Sequence, residues 1–257
     1  MFNFTLAAIN NVRPFGVAPN LSLHWFGLTD GEIHLDFDGV KIYEYSGASI
    51  KTLKVSSTKY VSYYIARFVE DFISIFSAIN EPVPSELYDL TIDISALIFS
   101  YEEWLAPIEN DVDEYLRNSS LLIYWLDNRK IDSGHLVAGP KIYFFRHDDT
   151  IRIVWNTEGL LENGEKIWSA SNGHCEMKYD KFVKNVKDFG DNFFNYMSQQ
   201  VKLAVDKDWG NIRLDKDALL EEQEWRKKDF YTKISILENQ SVNQTNWHKI
   251  KEIHNNL

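Results

Sequence analysis

One cysteine, three methionines, six prolines and twelve glycines in 257 residues leave several architectures without their raw material. A lone thiol, Cys175, cannot form an internal disulfide and suits a reducing compartment. Nowhere do eighteen apolar residues follow one another, so no membrane span is expected. The start of the chain has no base ahead of its short apolar run, and no run long enough for a signal peptide. A cytoplasmic protein is therefore expected. Cations are scarce as well: 27 Lys and Arg stand against 38 Asp and Glu, a formal net charge of −11. A general nucleic-acid binder needs the opposite balance, because phosphate contacts consume Lys and Arg. There is no glycine-rich phosphate loop, no Gly-x-Ser-x-Gly elbow and no His-Glu-x-x-His helix, so no cofactor is expected. The seven histidines are scattered without zinc-ligand spacing. Asp111-Val112-Asp113-Glu114 offers oxygen ligands but lacks the glycine and spacing of a calcium loop, and no metal is expected.

What remains is a chain with 44% hydrophobic, 14% aromatic and 25% charged residues, the composition of a folded globular protein. Residues 129–156 organise the expected sheet. Two apolar-alternating runs, 142–146 and 151–156, joined by His147-Asp148-Asp149-Thr150, predict a β-hairpin with a four-residue loop. Upstream, Asp30-Gly31 and Asp38-Gly39 separate the apolar runs 23–28, 33–37 and 40–45. That pattern predicts a three-stranded meander with a turn at each Asp-Gly. Over residues 58–79, Val61, Ile65, Phe68, Phe72, Phe76 and Ile79 recur at helical spacing and predict one amphipathic helix. Further helices are expected over 85–105, after Pro107, over 179–206 and 215–238, with a short one carrying Trp247, Ile250 and Ile253. Residues 121–126 read as a buried strand and 166–170 as another. The fold class is α+β, a mainly antiparallel sheet of hairpins and meander packed by several amphipathic helices. A single domain over 1–257 is expected, divisible into 1–57, 58–118 and 119–257.

The charge is unevenly spread. Residues 61–128 carry two bases, Arg67 and Arg117, against thirteen acids, whereas the segments on either side are neutral. Glu86, Asp89, Asp93, Glu102, Glu103, Glu109, Asp111, Asp113 and Glu114 therefore mark a candidate docking face for a basic protein. A solvated face that keeps the protein soluble accounts for the same charges. Arg129, Asp132 and His135 form a second candidate, able to grip a ligand carboxylate or position a proton carrier. Alternatively, Arg129 and Asp132 pair with each other and cap a turn at Ser133-Gly134. In His174-Cys175-Glu176, neighbours on an extended strand face opposite ways, so His174 does not serve Cys175 and a structural thiol is expected. An enzyme, a hydrolase for example, would have to use the Arg129/Asp132/His135 cluster or Cys175.

Three segments also carry a resemblance. They are His24-Trp25-Phe26-Gly27-Leu28-Thr29-Asp30-Gly31, then Arg129-Lys130-Ile131-Asp132-Ser133-Gly134-His135-Leu136, and the stretch from Phe145 through Arg146, His147, Asp148, Asp149 and Thr150 to Trp155. Together they resemble a widespread bacterial family of cytosolic proteins known as a domain of unknown function, with W-F-G-L-T-D-G and R-x-I/L-D-x-G-x-L signatures. The resemblance runs in order over most of the chain and is weakest after Asp208. It implies membership and no particular activity. Small, acidic, cysteine-poor bacterial proteins of this kind are often immunity proteins. By that analogy the expected function is non-catalytic: direct binding that neutralises a basic toxin domain.

Overall fold

The computed structural model describes residues 1–52, 58–108, 111–239 and 244–255 of an α+β fold. The chain opens with β1 (Phe2–Leu6), β2 (Ser22–Leu23), β3 (Asp30–Phe37), β4 (Val40–Ile42), α1 (Gly47–Thr52) and β5 (Val61–Tyr64). A helical run follows: α2 (Ile65–Ser74), α3 (Phe76–Asn80), α4 (Ser85–Leu90), α5 (Ile94–Leu105) and α6 (Val112–Asp127). Next come β6 (Lys130–Ile131), β7 (Lys141–His147), β8 (Thr150–Asn156) and β9 (Gly173–Lys178). The chain closes with α7 (Tyr179–Asp206), β10 (Arg213–Leu214), α8 (Lys216–Glu238) and α9 (Trp247–His254). Contacts gather these into two compact units. The first comprises Met1–Ile73, Gly159–Ala170 and Val183–Ser235; the second comprises Ser74–Glu158, Ser171–Phe182 and Ile236–Leu257.

In the first unit, β3 pairs antiparallel with β1 along one edge and with β4 and β5 along the other. Asp38 (φ 51°) and Gly39 (φ 88°) make the tight β3–β4 turn, both in the left-handed region that a two-residue hairpin demands. The other Asp-Gly pair is not a turn. Asp30 and Gly31 lie inside β3, and residues 25–29 form a 3₁₀ turn instead of a strand. Gly31 serves close packing: a Cβ there would fall 2.3 Å from the Thr5 carbonyl oxygen of the neighbouring strand. The helix expected over 58–79 is also divided. Residues 61–64 leave it to pair with residues 30–33 of β3, since an edge strand of Val and Tyr gains more from the ladder than from a helical turn. All six residues that set the helical period are nevertheless buried. Phe2 and Phe4 cover α7, with ring centroids 4.7 Å from Phe189 and 5.7 Å from Phe193 respectively.

In the second unit the sheet runs β6-β7-β8-β9, antiparallel throughout. His147 pairs with Thr150, so the central hairpin closes on the two residues Asp148 and Asp149, with Asp148 at φ 49°, and not on a four-residue loop. Residues 121–126 are the C-terminal part of α6 and not a strand. Leu122, Trp125 and Leu126 are buried while Tyr124 faces out, which is a helical alternation. A short apolar run does not distinguish the two states; the carboxylate cap upstream does. The helix expected over 85–105 breaks at a 3₁₀ turn, Thr91–Asp93, where the Thr91 hydroxyl donates to the Tyr88 carbonyl and Asp93 starts α5 afresh. Residues 166–170 form only isolated bridges, and β9 takes the sheet edge. The core of this unit joins Tyr143, Phe145 and Val154 of the sheet to Leu97, Leu122 and Trp125 of the helices.

Candidate functional site

The acidic helices belong to the second unit. Asp93 accepts a hydrogen bond from the Ala96 amide at 3.0 Å and caps α5; Asp111 accepts from the Glu114 amide at 3.1 Å and caps α6. Asp113 and Glu114 occupy the first turn of α6, where the helix dipole favours negative charge. Asp93, Asp111, Asp113 and Glu114 thus sit where a helix start stabilises a carboxylate, whereas Glu102 and Glu103 lie in the last turn of α5. Glu86, at the start of α4, is held 3.0 Å from Lys251, and its own amide with that lysine keeps its carboxyl below the usual range. Glu109 lies outside the described residues. Asp89, Glu102, Glu103, Asp113 and Glu114 are exposed, and among the described residues no cation stands within 4 Å of them.

Sequence reasoning missed what lies between these acids. Ile92, Phe99, Val112, Leu116 and Tyr124 are all more than half exposed, Phe99 at 59% and Tyr124 at 62%. Ala96, Phe99 and Glu103 follow at spacings that put them on one face of α5, as do Asp113, Leu116, Ser120, Tyr124 and Asp127 on α6. Apolar anchors flanked by carboxylates therefore line both helices. In sequence these residues are indistinguishable from core positions.

Arg129 and Asp132 do not pair with each other. Arg129 is fully buried, and its carboxylate partner is Glu81, at 2.9 Å, not Asp132. The guanidinium also donates to the Trp125 carbonyl at 2.8 Å and lies over the Trp247 ring. Burial opposes ionisation of Glu81. The Thr245 hydroxyl, the backbone amides of Thr245 and Gln244 and the Arg129 charge outweigh it and hold the carboxyl below its usual range. Burial pulls Arg129 down from a range so high that it stays charged. This is a clasp that ties the segment before α9 to the centre of the unit. Asp132 is exposed, 3.7 Å from Lys130, and His135 is half-buried. Cys175 is buried on β9, on the face opposite exposed His174. The cavity of about 390 Å³ beside Arg129 is lined by none of Asp132, His135 and Cys175, so these side chains do not converge on one pocket there.

Among the described residues, no group of three or more His, Cys, Asp and Glu is placed to hold a metal ion, and no helix is long and apolar enough to cross a membrane. No curated protein matches the chain, and no solved structure does. A family model does match, over residues 1–253, and the chain belongs to the family of unknown function DUF5984.

Proposed function

We propose that the protein is a non-catalytic binding protein, a bacterial immunity protein that docks α5 and α6 onto a basic toxin domain in the cytoplasm. The observation that carries this reading is the pairing of unneutralised carboxylates with exposed Phe99, Leu116 and Tyr124 on the same helices. Solubility alone explains the carboxylates but not the aromatics, which water disfavours. Protein interfaces combine the two: aromatic anchors at the centre set the lifetime of the complex, and charges at the rim set the rate of encounter.

The test is co-expression with a basic toxin domain encoded beside the gene, followed by binding kinetics at low and high salt. A complex is expected whose association slows with salt. Reversing Glu103, Asp113 and Glu114 to Lys together should lower the association rate about tenfold or more at low salt, with the dissociation rate little changed. Phe99→Ala should do the reverse, raising dissociation. If no neighbouring basic toxin domain forms a complex, the proposal fails.

A further inference from the structure

Helix α9 packs on α5 and α6 in the second unit, and an aromatic pair closes each of its ends. At its first residue the Trp247 ring meets Trp125 of α6 edge-on, with centroids 5.5 Å apart. At its last the His254 ring meets Tyr101 of α5 edge-on, at 6.4 Å. Between them Ile250 and Ile253 enter the core of the unit. Each of the four ring residues has one polar atom shut away from solvent: Trp247 Nε1, Trp125 Nε1, Tyr101 Oη and His254 Nδ1. None of these atoms has a hydrogen-bond partner among the described residues. The Trp125 N–H leans toward the Tyr101 oxygen without closing a hydrogen bond. The Nε of Arg129, whose guanidinium lies over the Trp247 ring, is stranded in the same way.

Stranded polar atoms are rare in folded proteins, and each opposes burial by the hydration it has given up. Here they gather along one seam, and water reaches them as soon as α9 lifts. Burial of Ile250, Ile253 and the Trp247 ring works the other way, with an effect of the same order per group. The Lys251–Glu86 pair, at 3.0 Å, is exposed and adds little. Burial alone holds the His254 imidazole below its ordinary value, so no neighbouring charge anchors that end of the helix. The chain just before α9 is fixed far more firmly, since Glu81 accepts from the amides of Gln244 and Thr245 at 2.8 and 2.9 Å. Eight residues do not hold a helix alone, so once lifted α9 unfolds as a unit.

We propose that α9 is a strap that opens while the rest of the second unit stays folded. Its hinge is the segment that Glu81 clasps, and its seam is the line of stranded polar atoms on Trp247, Trp125, Tyr101 and His254. Opening bares the rings of Tyr101 and Trp125 on the α5–α6 pair and gives their polar atoms to water. The strap does not depend on the docking of a basic partner, and either can fail alone.

The experiment is native-state hydrogen exchange on the full chain, read amide by amide. The amides of Ile250, Lys251, Glu252 and Ile253 are expected to open together, about a hundredfold more often than those of Leu122, Trp125 and Leu126 in α6. An α9 protected as well as α6 would overturn the proposal. So would a rate that climbs residue by residue toward the C-terminus, which is ordinary fraying. Tyr101→Phe and His254→Phe each keep a ring and delete a stranded atom. Each should slow the exchange of α9 about fivefold and leave α7 unchanged. Exchange that is faster or unchanged in both variants would show that these atoms do not strain the seam, and the strap would be overturned.

Discussion

The two units carry the same number of acids, nineteen each, but seventeen bases in the first against ten in the second. The acidity of the second unit is therefore a deficit of lysine and arginine, not a surplus of carboxylates. The few cations it has are largely committed. Arg129 is spent on Glu81 in the interior, and Arg152 on Glu176, the Tyr88 ring and two oxygens beside it. Lys178 is held by Asp149 and Lys251 by Glu86. In the first unit most ion pairs sit along the surface, as in Lys59–Glu44, Arg67–Asp71 and Lys184–Asp188, with Arg226 over the Trp25 ring as the part-buried exception, and phenylalanine rings fill much of the core. One unit balances its charges outside and packs an apolar core. The other draws guanidinium groups inward and leaves Asp89, Glu102, Glu103, Asp113 and Glu114 of its helices with no cation within 4 Å among the described residues.

The sharpest way to break this contrast is Arg129→Met, which strands the Glu81 carboxylate inside the second unit. Removing one partner of a buried pair should cost ~3–5 kcal/mol in urea unfolding. Hydrogen exchange should place the loss in the second unit; an equal loss in the first would show that the units do not differ in this way. The same pair has a pH signature. The carboxyl of Glu81 is held below its ordinary value of 4.5, so its contribution is complete above that value and is lost as pH falls through the lowered one. Glu81→Gln should remove that part of the acid sensitivity, and an unchanged acid profile would count against the clasp. A smaller effect is expected at α6. Asp111→Ala removes the cap and should cost ~1 kcal/mol, with faster amide exchange confined to the first turn. The smallest is Glu103→Lys, which touches no partner and should change stability by less than ~0.5 kcal/mol. A larger loss would mean that the exposed carboxylates are structural after all.

The sequence revealed most where one physical rule acted alone. Helix α7 was legible end to end because Phe182, Val186, Phe189, Phe193, Met197 and Val201 keep one face over many turns. The Asp38-Gly39 turn was legible for the same kind of reason, a backbone need that few residues meet. Asp30-Gly31 looked identical and was misread, because glycine there answers a neighbouring strand that sequence does not place. Residues 121–126 were misread because an apolar run fits a buried strand as well as a helix end. Of the candidate sites, the acids were visible but the exposed aromatics between them were not, since Phe99 and Tyr124 have the same side chains as core residues. The partner of Arg129 was out of reach as well. Glu81 lies 48 residues away, and no local pattern marks it as the one that will be buried.

Glu81 also binds the amides of residues 163 and 164 positions further along the chain. The interior of the second unit is therefore stitched to a segment far along the chain, because Glu81 has its full set of partners only where Gln244 and Thr245 reach it.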